Sequence, residues 1–440
     1  MALKPMSSYL ADLVSQKSDL VALLQDCGIE ASEDEKLNTL IPKLSNALRA
    51  FYEFESWRTN GFTDFSQYYG VEYQRANTLG SSNQYGKIYG YVRPSVVFPP
   101  AKTSKATMFM NTFYQQSSLS EAPEFDTSSG EDFTQMFYGC KSLVEVPLYN
   151  TSKAKRLGAM FQDCTNLKNI PAFDTSNTEN FMNFAQGCGK LTEAPELNTS
   201  KAVNINRMFY QCKGLKSIPE FDFSNVEDAQ NAFYDCSALT SIPPLDLSKA
   251  TNVASLFQGC TNLKNLPESF DFTNATDIYQ AFYKCSSLTS VPRLYLAEEK
   301  VKSLSGLFGY CTNLEGEILW LPKPNFTNTY PYTNIIAQCP KITAIGTIYL
   351  RSDTTLGTCF AGCTSLETIV FEGTLCTTGF NISTCTALSH DTLSSIVDIL
   401  KDYSGDTSGK TYKITFGATN LAKLTTEEKQ IMDDKGWTYA

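Results

Sequence analysis

The sequence has little of what catalysis and metal binding require. Histidine occurs once in 440 residues, as His390 at the start of a predicted helix, where an exposed turn residue is commoner than a base. The motifs G-x-S-x-G and H-E-x-x-H and a phosphate-binding glycine loop are missing. A glycosidase pair drawn from Glu121, Glu145 and Glu193 stays open, but these glutamates share one repeat position, where a solvated column is the simpler account. We therefore predict a non-enzymatic protein without a metal or a cofactor.

The chain also lacks long apolar runs and an excess of positive charge. The segment that begins at Met1 contains no apolar stretch suited to a signal peptide or a transmembrane span. The net charge is -10 and the pI is about 4.9, whereas phosphate binding needs clustered Lys and Arg. We expect no membrane insertion and no nucleic acid partner, and we expect assembly in a host cytoplasm followed by release through lysis.

A repeat dominates the rest of the sequence. Eight cysteines follow one another in steps of 24, 24, 24, 24, 24, 25 and 26 residues. They form the cysteine column, which consists of Cys140, Cys164, Cys188, Cys212, Cys236, Cys260, Cys285 and Cys311. A fixed period of this size indicates a solenoid, in which each repeat covers the apolar face of its neighbours. We predict about a dozen repeats of about 24 residues within residues 99–388.

Other residues keep the same phase and predict the structure of one repeat. Around Cys164, for example, Phe161 precedes by three positions, Leu167 follows by three and Pro171 by seven. A Ser that follows an Asp-Thr or similar turn can cap a helix, with Glu three residues later completing a capping box. The pairs are Ser128 with Glu131, Ser176 with Glu179 and Ser224 with Glu227. One helix and one short strand per repeat is the layout of a leucine-rich repeat, so the sequence predicts an α/β solenoid.

The regular thiols allow two further interpretations. Stacked repeats lie about 4.8 Å apart, so neighbouring cysteines could form disulfides. Pairing would, however, need alternating geometry in equivalent repeats, and free cysteine is among the most buried residue types. The one close pair, Cys359 and Cys363, has no His nearby to complete a zinc site. Structural, buried and reduced thiols are therefore the preferred prediction.

The repeat resembles the BspA-like leucine-rich repeats of bacterial, phage and protozoan surface proteins. The resemblance rests on Phe161, Cys164, Leu167, Ile170-Pro171 and Asp174-Thr175-Ser176, a pattern that recurs through about two thirds of the chain. It implies a leucine-rich repeat fold. Members of such a family share a binding scaffold and not one chemistry, so the resemblance says little about the ligand.

The two ends of the chain depart from the repeat. Residues 1–50 predict a helical hairpin, which is either a cap of the solenoid or a docking and oligomerisation segment. Its apolar positions are Leu10, Leu13, Leu20, Leu24, Leu37, Leu40, Ile41 and Leu44. Residues 51–98 are rich in aromatics and predict a small β-containing cap that merges into the first repeat, or a glycan platform. Residues 389–440 predict an α/β cap. Its predicted elements are a helix capped by Ser389 that carries Leu393, Ile396, Val397 and Leu400, a strand from Thr411 to Phe416 and a last helix that begins at Thr425.

Two short segments resemble phage proteins. Residues 35–44 are similar to the leader of phage tail and baseplate-associated proteins, and residues 417–425 are similar to the ending of repeat proteins encoded by phages and prophages. These resemblances imply a virion protein.

Two columns of the repeat are candidate binding residues, although each can also be edge packing or a solvated ladder. The tyrosine column, two positions before the cysteines, consists of Tyr114, Tyr138, Tyr210, Tyr234 and Tyr283. The lysine column, four positions after the cysteines, consists of Lys168, Lys216 and Lys264. The second column lies on the predicted strand face, which is the usual recognition surface of leucine-rich repeats.

These observations lead to one functional hypothesis and one alternative. We predict a phage virion structural protein, a tail, baseplate or head fibre component, which docks to other virion proteins through its N-terminal region and binds a host-cell glycan or protein. We expect a homo-oligomer, such as a trimer. The alternative is a bacterial or protozoan cell-surface adhesin; a polysaccharide-degrading enzyme is the least favoured reading.

Overall fold

The computed structural model describes residues 106–122, 124, 126–325, 327 and 330–440. The predicted hairpin of residues 1–50, with all its apolar docking positions, lies outside the described residues. So does the aromatic-rich segment of residues 51–98. These predictions therefore stay untested.

The described chain forms a stack of parallel coils. Residues one repeat apart pair in parallel, as Asp132 does with Arg156 and Arg156 with Asn180. Backbone N–H groups reach across to the following coil: that of Phe137 donates to the Met160 carbonyl at 2.8 Å. This stacking makes the fold solenoid-like, as the period predicts. The number of repeats stays a prediction.

Regular elements are concentrated toward the C-terminus of the described chain. The strands are β1 Ser269–Asp271, β2 Arg293–Tyr295, β3 Glu315–Ile318, β4 Lys341–Tyr349, β5 Thr368–Glu372, β6 Phe380–Asn381, β7 Tyr412–Thr415 and β8 Trp437–Tyr439. They form the parallel sheets β1-β2, β3-β4-β5 and β6-β7-β8. The helices among the described residues are α1 His390–Asp398, α2 Ala418–Leu421 and α3 Thr426–Asp434. None of them has the length and apolar character needed to span a membrane.

The helix predicted in each repeat is wrong for the described coils. Residues five and one before each column cysteine have φ between 53° and 78°, which an α-helix does not tolerate. In the coil of Cys140, for example, these residues are Gln135 and Gly139. Alternate N–H groups, such as those of Phe133 and Gln135, donate to the next coil instead of to their own turn. The coils are therefore built from turns and short parallel pairings, and the α/β assignment holds only near the C-terminus.

The predicted capping boxes of the repeats are replaced by a different turn. The backbone N–H of Ser176 donates to Asp174 Oδ1 at 3.1 Å, and its hydroxyl donates to the same atom at 2.7 Å. Ser128 and Ser224 make the same backbone contact with Asp126 and Asp222. The Asp side chain thus closes the corner of the coil by satisfying the N–H group two residues later. No helix begins at these serines.

The interior consists of columns of apolar side chains that share a repeat position. The aromatic rings stack along the coil axis, with centroids 5.3 Å apart for Phe113 and Phe137 and 5.7 Å apart for Phe137 and Phe161. The eight column cysteines and the leucines three residues after them are fully buried. Each coil therefore relies on its neighbours to cover its apolar surface, as the repeat period predicts.

The elements predicted after residue 388 are confirmed. Helix α1 begins after Ser389, whose side chain accepts from the Thr392 N–H, and it buries Leu393, Ile396 and Val397. Leu400, expected in the same helix, lies beyond its end but is also buried. The predicted strand is β7, and α3 begins with the capping box of Thr425 and Glu428.

A buried threonine column gives a matched test of coil-to-coil hydrogen bonding. The Thr175 hydroxyl donates to the Asn198 carbonyl at 2.8 Å, whereas the Thr199 hydroxyl, one coil later, is buried without a partner. We expect Thr175→Val to lower the free energy of unfolding by about 1 kcal/mol and Thr199→Val to raise it or leave it unchanged. Urea unfolding of both variants checks this. Equal destabilisation by the two would contradict it.

Candidate binding surface

The cysteine column is a structural ladder. Each thiol donates to a backbone carbonyl of the preceding coil: Cys212 Sγ lies 3.0 Å from the Ala185 oxygen and Cys236 Sγ lies 3.1 Å from the Phe209 oxygen. The column cysteines are free and fully buried. Burial raises the pKa of the Cys212 thiol to about 12, so it stays protonated and can donate at neutral pH.

Metal binding finds no support in the part of the chain that the structure describes. Cys359 and Cys363 are buried and form no disulfide, and no cluster of three metal-ligating side chains occurs among the described residues. Each of the two thiols is surrounded by apolar core, and burial raises the pKa of both.

The tyrosine column is half-buried and stacked in pairs. Ring centroids lie 4.8 Å apart for Tyr114 and Tyr138 and 4.6 Å apart for Tyr210 and Tyr234. In the two coils between these pairs, the same position holds Gln162 and Gln186. Tyr283 makes an edge contact with Tyr310 at 5.3 Å. One ring face of Tyr138 and Tyr210 is thus covered by a partner, which fixes the ring while its outer parts remain accessible.

Backbone hydrogen bonds to the preceding coils hold the lysine column in place. The N–H groups of Lys168, Lys216 and Lys264 donate to the Val144, Thr192 and Thr240 carbonyls of the preceding coils at 3.0, 2.8 and 3.0 Å. All three lysines are exposed, and so are Thr192 and Thr240 between them. The backbone is fixed, while the side chains point into solvent without an ion pair to the described residues.

The glutamate column lies on the exposed surface of the coils. Glu121 and Glu145 pair in adjacent coils, and Glu193 lies two coils beyond Glu145, with Asn169 at the intervening position. All three glutamates are exposed. This arrangement fits the solvated column described above.

His390 has a structural contact. It is the first residue of α1, and its Nε2 lies 3.3 Å from Oε2 of Glu428, the capping-box residue of α3. The histidine therefore links the N-terminal ends of two helices. The Glu428 carboxylate also accepts from the Thr425 N–H at 2.7 Å. Burial raises the pKa of Glu428, but the hydrogen bonds with Ser394 and Thr425 and the nearby His390 together hold it below its usual value.

Sequence reasoning missed two surface features. A shallow acidic groove is lined by Glu220, Asp222, Asp246 and Asp271. The aspartates recur at one repeat position, which is the only sequence signal for the groove.

The second feature is an aromatic cluster. The Arg293 guanidinium lies 5.7 Å from the Tyr295 ring centroid and 5.9 Å from that of Trp320. Arg293 occupies the repeat position that holds Glu220 and Glu268 in earlier coils, and this reversal of charge is the sequence signal for the cluster.

Comparison with known families agrees with this architecture. A family described as "Mycoplasma protein of unknown function, DUF285" matches residues 100–195, 145–244, 204–320 and 230–343, more than half of the chain. The chain belongs to this family. A second pattern, "BspA type Leucine rich repeat region (6 copies)", matches residues 347–426, so the resemblance to BspA-like leucine-rich repeats is confirmed there. A phage origin stays a prediction.

The two matches follow a change in the coils. The DUF285 match covers the turn-built coils, in which two residues per repeat have positive φ. The BspA-type match begins within β4 and continues through α1 and β7, where strands and helices replace the turns. It therefore extends into the segment that we predicted as a C-terminal cap.

Solved structures give weaker similarities. A chain from "Crystal structure of TLR13-ssRNA13 complex" is 14% identical with a TM-score of 0.25, and the match covers 72% of this chain and 49% of that one. A leucine-rich repeat protein from Eubacterium ventriosum is 16% identical with a TM-score of 0.23, covering 63% of this chain and 86% of that one. This chain thus spans about half the length of the first of these structures. No curated protein matches.

Proposed function

We propose that this DUF285-family chain is a non-enzymatic attachment protein, which presents its coil surface to a glycan or protein on a host cell. The tyrosine column carries the proposal. Its rings are half-buried, fixed by stacking at 4.6 and 4.8 Å, and repeated along one side of a stack whose backbone is held by hydrogen bonds. Tyrosine gives a rigid, amphipathic contact at a low entropic cost, which suits sugar rings and protein surfaces alike.

Within this proposal, the chain acts as part of a phage particle. Support comes from the resemblance of residues 35–44 and 417–425 to phage-encoded proteins. Residues 1–50 would dock the chain to other virion proteins and hold copies together, as a trimer in the simplest case, while the coils face outward.

A cell-surface adhesin is the second candidate. The match of residues 347–426 to BspA-type repeats favours it, because the resemblance includes bacterial and protozoan surface proteins. The location of the chain separates the two candidates. Co-purification with particles from a lysed host supports the virion protein, and recovery only from a cell envelope supports the adhesin.

Attachment itself is tested with labelled chain and host cells. We expect the double variant Tyr138→Ala/Tyr210→Ala to bind at least about tenfold more weakly, since these rings flank the glutamine positions of the column and aromatic residues dominate binding energy at interfaces. Tyr279→Ala is the matched control, because Tyr279 is 44% exposed but lies four residues before Tyr283, outside the tyrosine column. Unchanged binding of the double variant, or hydrolysis of a cell-surface polysaccharide by the chain, would contradict the proposal.

A further inference from the structure

Positive charge is concentrated on one face of an acidic chain. We define the lysine face as residues 165–169, 189–193, 213–217, 237–241 and 261–265, which follow five consecutive column cysteines. It contains five lysines, all exposed, and one carboxylate, Glu193, so its own residues carry a net charge of +4 (5 - 1) in a chain of net charge -10. Its lysines are Lys168, Lys190, Lys213, Lys216 and Lys264. One of these lysines, Lys213, is paired with Asp235 beside the face at 3.3 Å. Charge segregation of this kind raises the local concentration of anions at the face.

The face has a period of two coils. Lys168, Lys216 and Lys264 alternate with Thr192 and Thr240 at the same repeat position. Since neighbouring strands lie about 4.8 Å apart, the lysines recur about every 10 Å along the axis. Each lysine is thus followed by a neutral hydroxyl group and then by another lysine.

A second lysine series makes contacts that the lysine column does not make. Lys201, Lys249 and Lys300 also recur every second coil, but their ammonium groups donate to the preceding coil's asparagine. The acceptors are Asn177, Asn225 and Asn274, at 2.7, 2.6 and 2.9 Å. The lysine column makes no such contact. Its ammonium groups therefore remain available to a ligand.

We propose that the lysine face binds a linear anionic polysaccharide that carries an acidic group on every second sugar. The rise of one coil is close to the length that one pyranose adds to an extended chain, so acidic groups on alternate sugars would meet successive lysines. The intervening threonine hydroxyls would face the neutral sugars. Single-stranded nucleic acid fits less well, because it carries a phosphate on every nucleotide and therefore offers no neutral unit opposite the intervening threonines. The inference rests on the proposed attachment role and names its ligand class.

Hyaluronan oligosaccharides are the probe, since they carry one carboxylate per disaccharide. Calorimetry with the full chain should show affinity rising from the disaccharide to the hexasaccharide, as further lysines are reached. Raising the salt from low to moderate concentration should weaken binding about tenfold, because exposed charges are screened. Neutral dextran should not bind, and an oligothymidylate of equal charge should compete poorly. Absence of hyaluronan binding, or equal binding of the oligothymidylate, overturns the inference.

Two triple variants of identical charge sharpen the test. Lys168→Gln/Lys216→Gln/Lys264→Gln should bind the hexasaccharide about tenfold more weakly, the sum of three exposed ion pairs. The control, Lys201→Gln/Lys249→Gln/Lys300→Gln, removes three charges at the same two-coil spacing and should bind like the unmodified chain. An equal loss of affinity in both variants would show that binding depends on net charge alone and would overturn the inference. Host-cell attachment without hyaluronan binding would reject this ligand class and leave the attachment role standing.

Discussion

Raising the pH above 9 should unfold the turn-built coils in one steep transition. Burial raises the pKa of Cys140, Cys212 and Cys311 from an ordinary 9.0 to about 12. It raises the pKa of the five other column thiols as well, in Cys164, Cys188, Cys236, Cys260 and Cys285. Each column thiol therefore resists ionisation only as long as its coil is folded.

Because these pKa values are raised in the folded state, the stability of the fold decreases as the pH rises. A thiol whose pKa is higher in the folded state contributes its full stability below pH 9, and this contribution is lost as the pH rises toward the folded-state pKa. Each thiol loses about 1 kcal/mol of stability per pH unit in that range. Eight thiols together lose on the order of 10 kcal/mol by pH 10, which equals the whole stability of a typical domain.

Circular dichroism and thiolate absorbance during an alkaline titration measure this effect. Circular dichroism and the thiolate absorbance of the column cysteines should change together, because these buried thiols ionise only on unfolding. Replacing Cys212 and Cys236 by Ala removes two of the titrating rungs, so stability in urea should fall less steeply with pH above 9, although its value at pH 7 is lower. Thiolate formation in a coil that keeps its circular dichroism would contradict the explanation.

The repeat and its interior could be predicted because they depend on a period that the sequence shows directly. Phe161, Cys164 and Leu167 occupy fixed positions, and any stacked coil must bury residues that recur in this way. Helices α1 and α3 could be predicted as well, because Ser389 and Thr425 are caps followed by apolar residues at helical spacing, whereas the short helix α2 was not predicted.

The helix within each repeat could not be excluded from the sequence. Phe181, Phe184 and Cys188 are spaced by three and four residues, which is the spacing of a helix face and also of these consecutive turns. Positive φ has a sequence signal at Asn183 and Gly187 but none at Ala159 or Arg207. Backbone hydrogen bonds to the neighbouring coil decide the conformation, and one repeat alone does not reveal them.

The candidate binding surface could be predicted only in part from the sequence, for a related reason. The alternation of lysine with threonine is visible in the sequence, as are the tyrosines. The distinction between Lys216, which faces solvent, and Lys249, which donates to Asn225 at 2.6 Å, depends on what the preceding coil offers. That information appears only when the coils are stacked in register.

Truncation of a stacked phenylalanine should cause the largest loss of stability by substitution. The Phe233 ring is fully buried, with centroids 5.9 Å from Phe209 and 5.4 Å from Phe257 in the coils on either side. Phe233→Ala leaves a cavity that neither neighbour can fill, because both rings are held by their own stacks. We expect the free energy of unfolding to fall by about 4 kcal/mol.

The next residue provides the control. Tyr234 stacks on Tyr210 at 4.6 Å but is half-buried, so Tyr234→Ala should cost only about 1 kcal/mol. In a repeat protein the interfaces between neighbouring repeats provide much of the stability. In Phe233→Ala, the coils before the substituted coil and the coils after it should therefore unfold in two separate steps. Urea unfolding followed by circular dichroism, with hydrogen exchange to locate each step, measures both effects. A cost for Phe233→Ala no larger than that of Tyr234→Ala would show that the stacked rings do not carry the interface between coils.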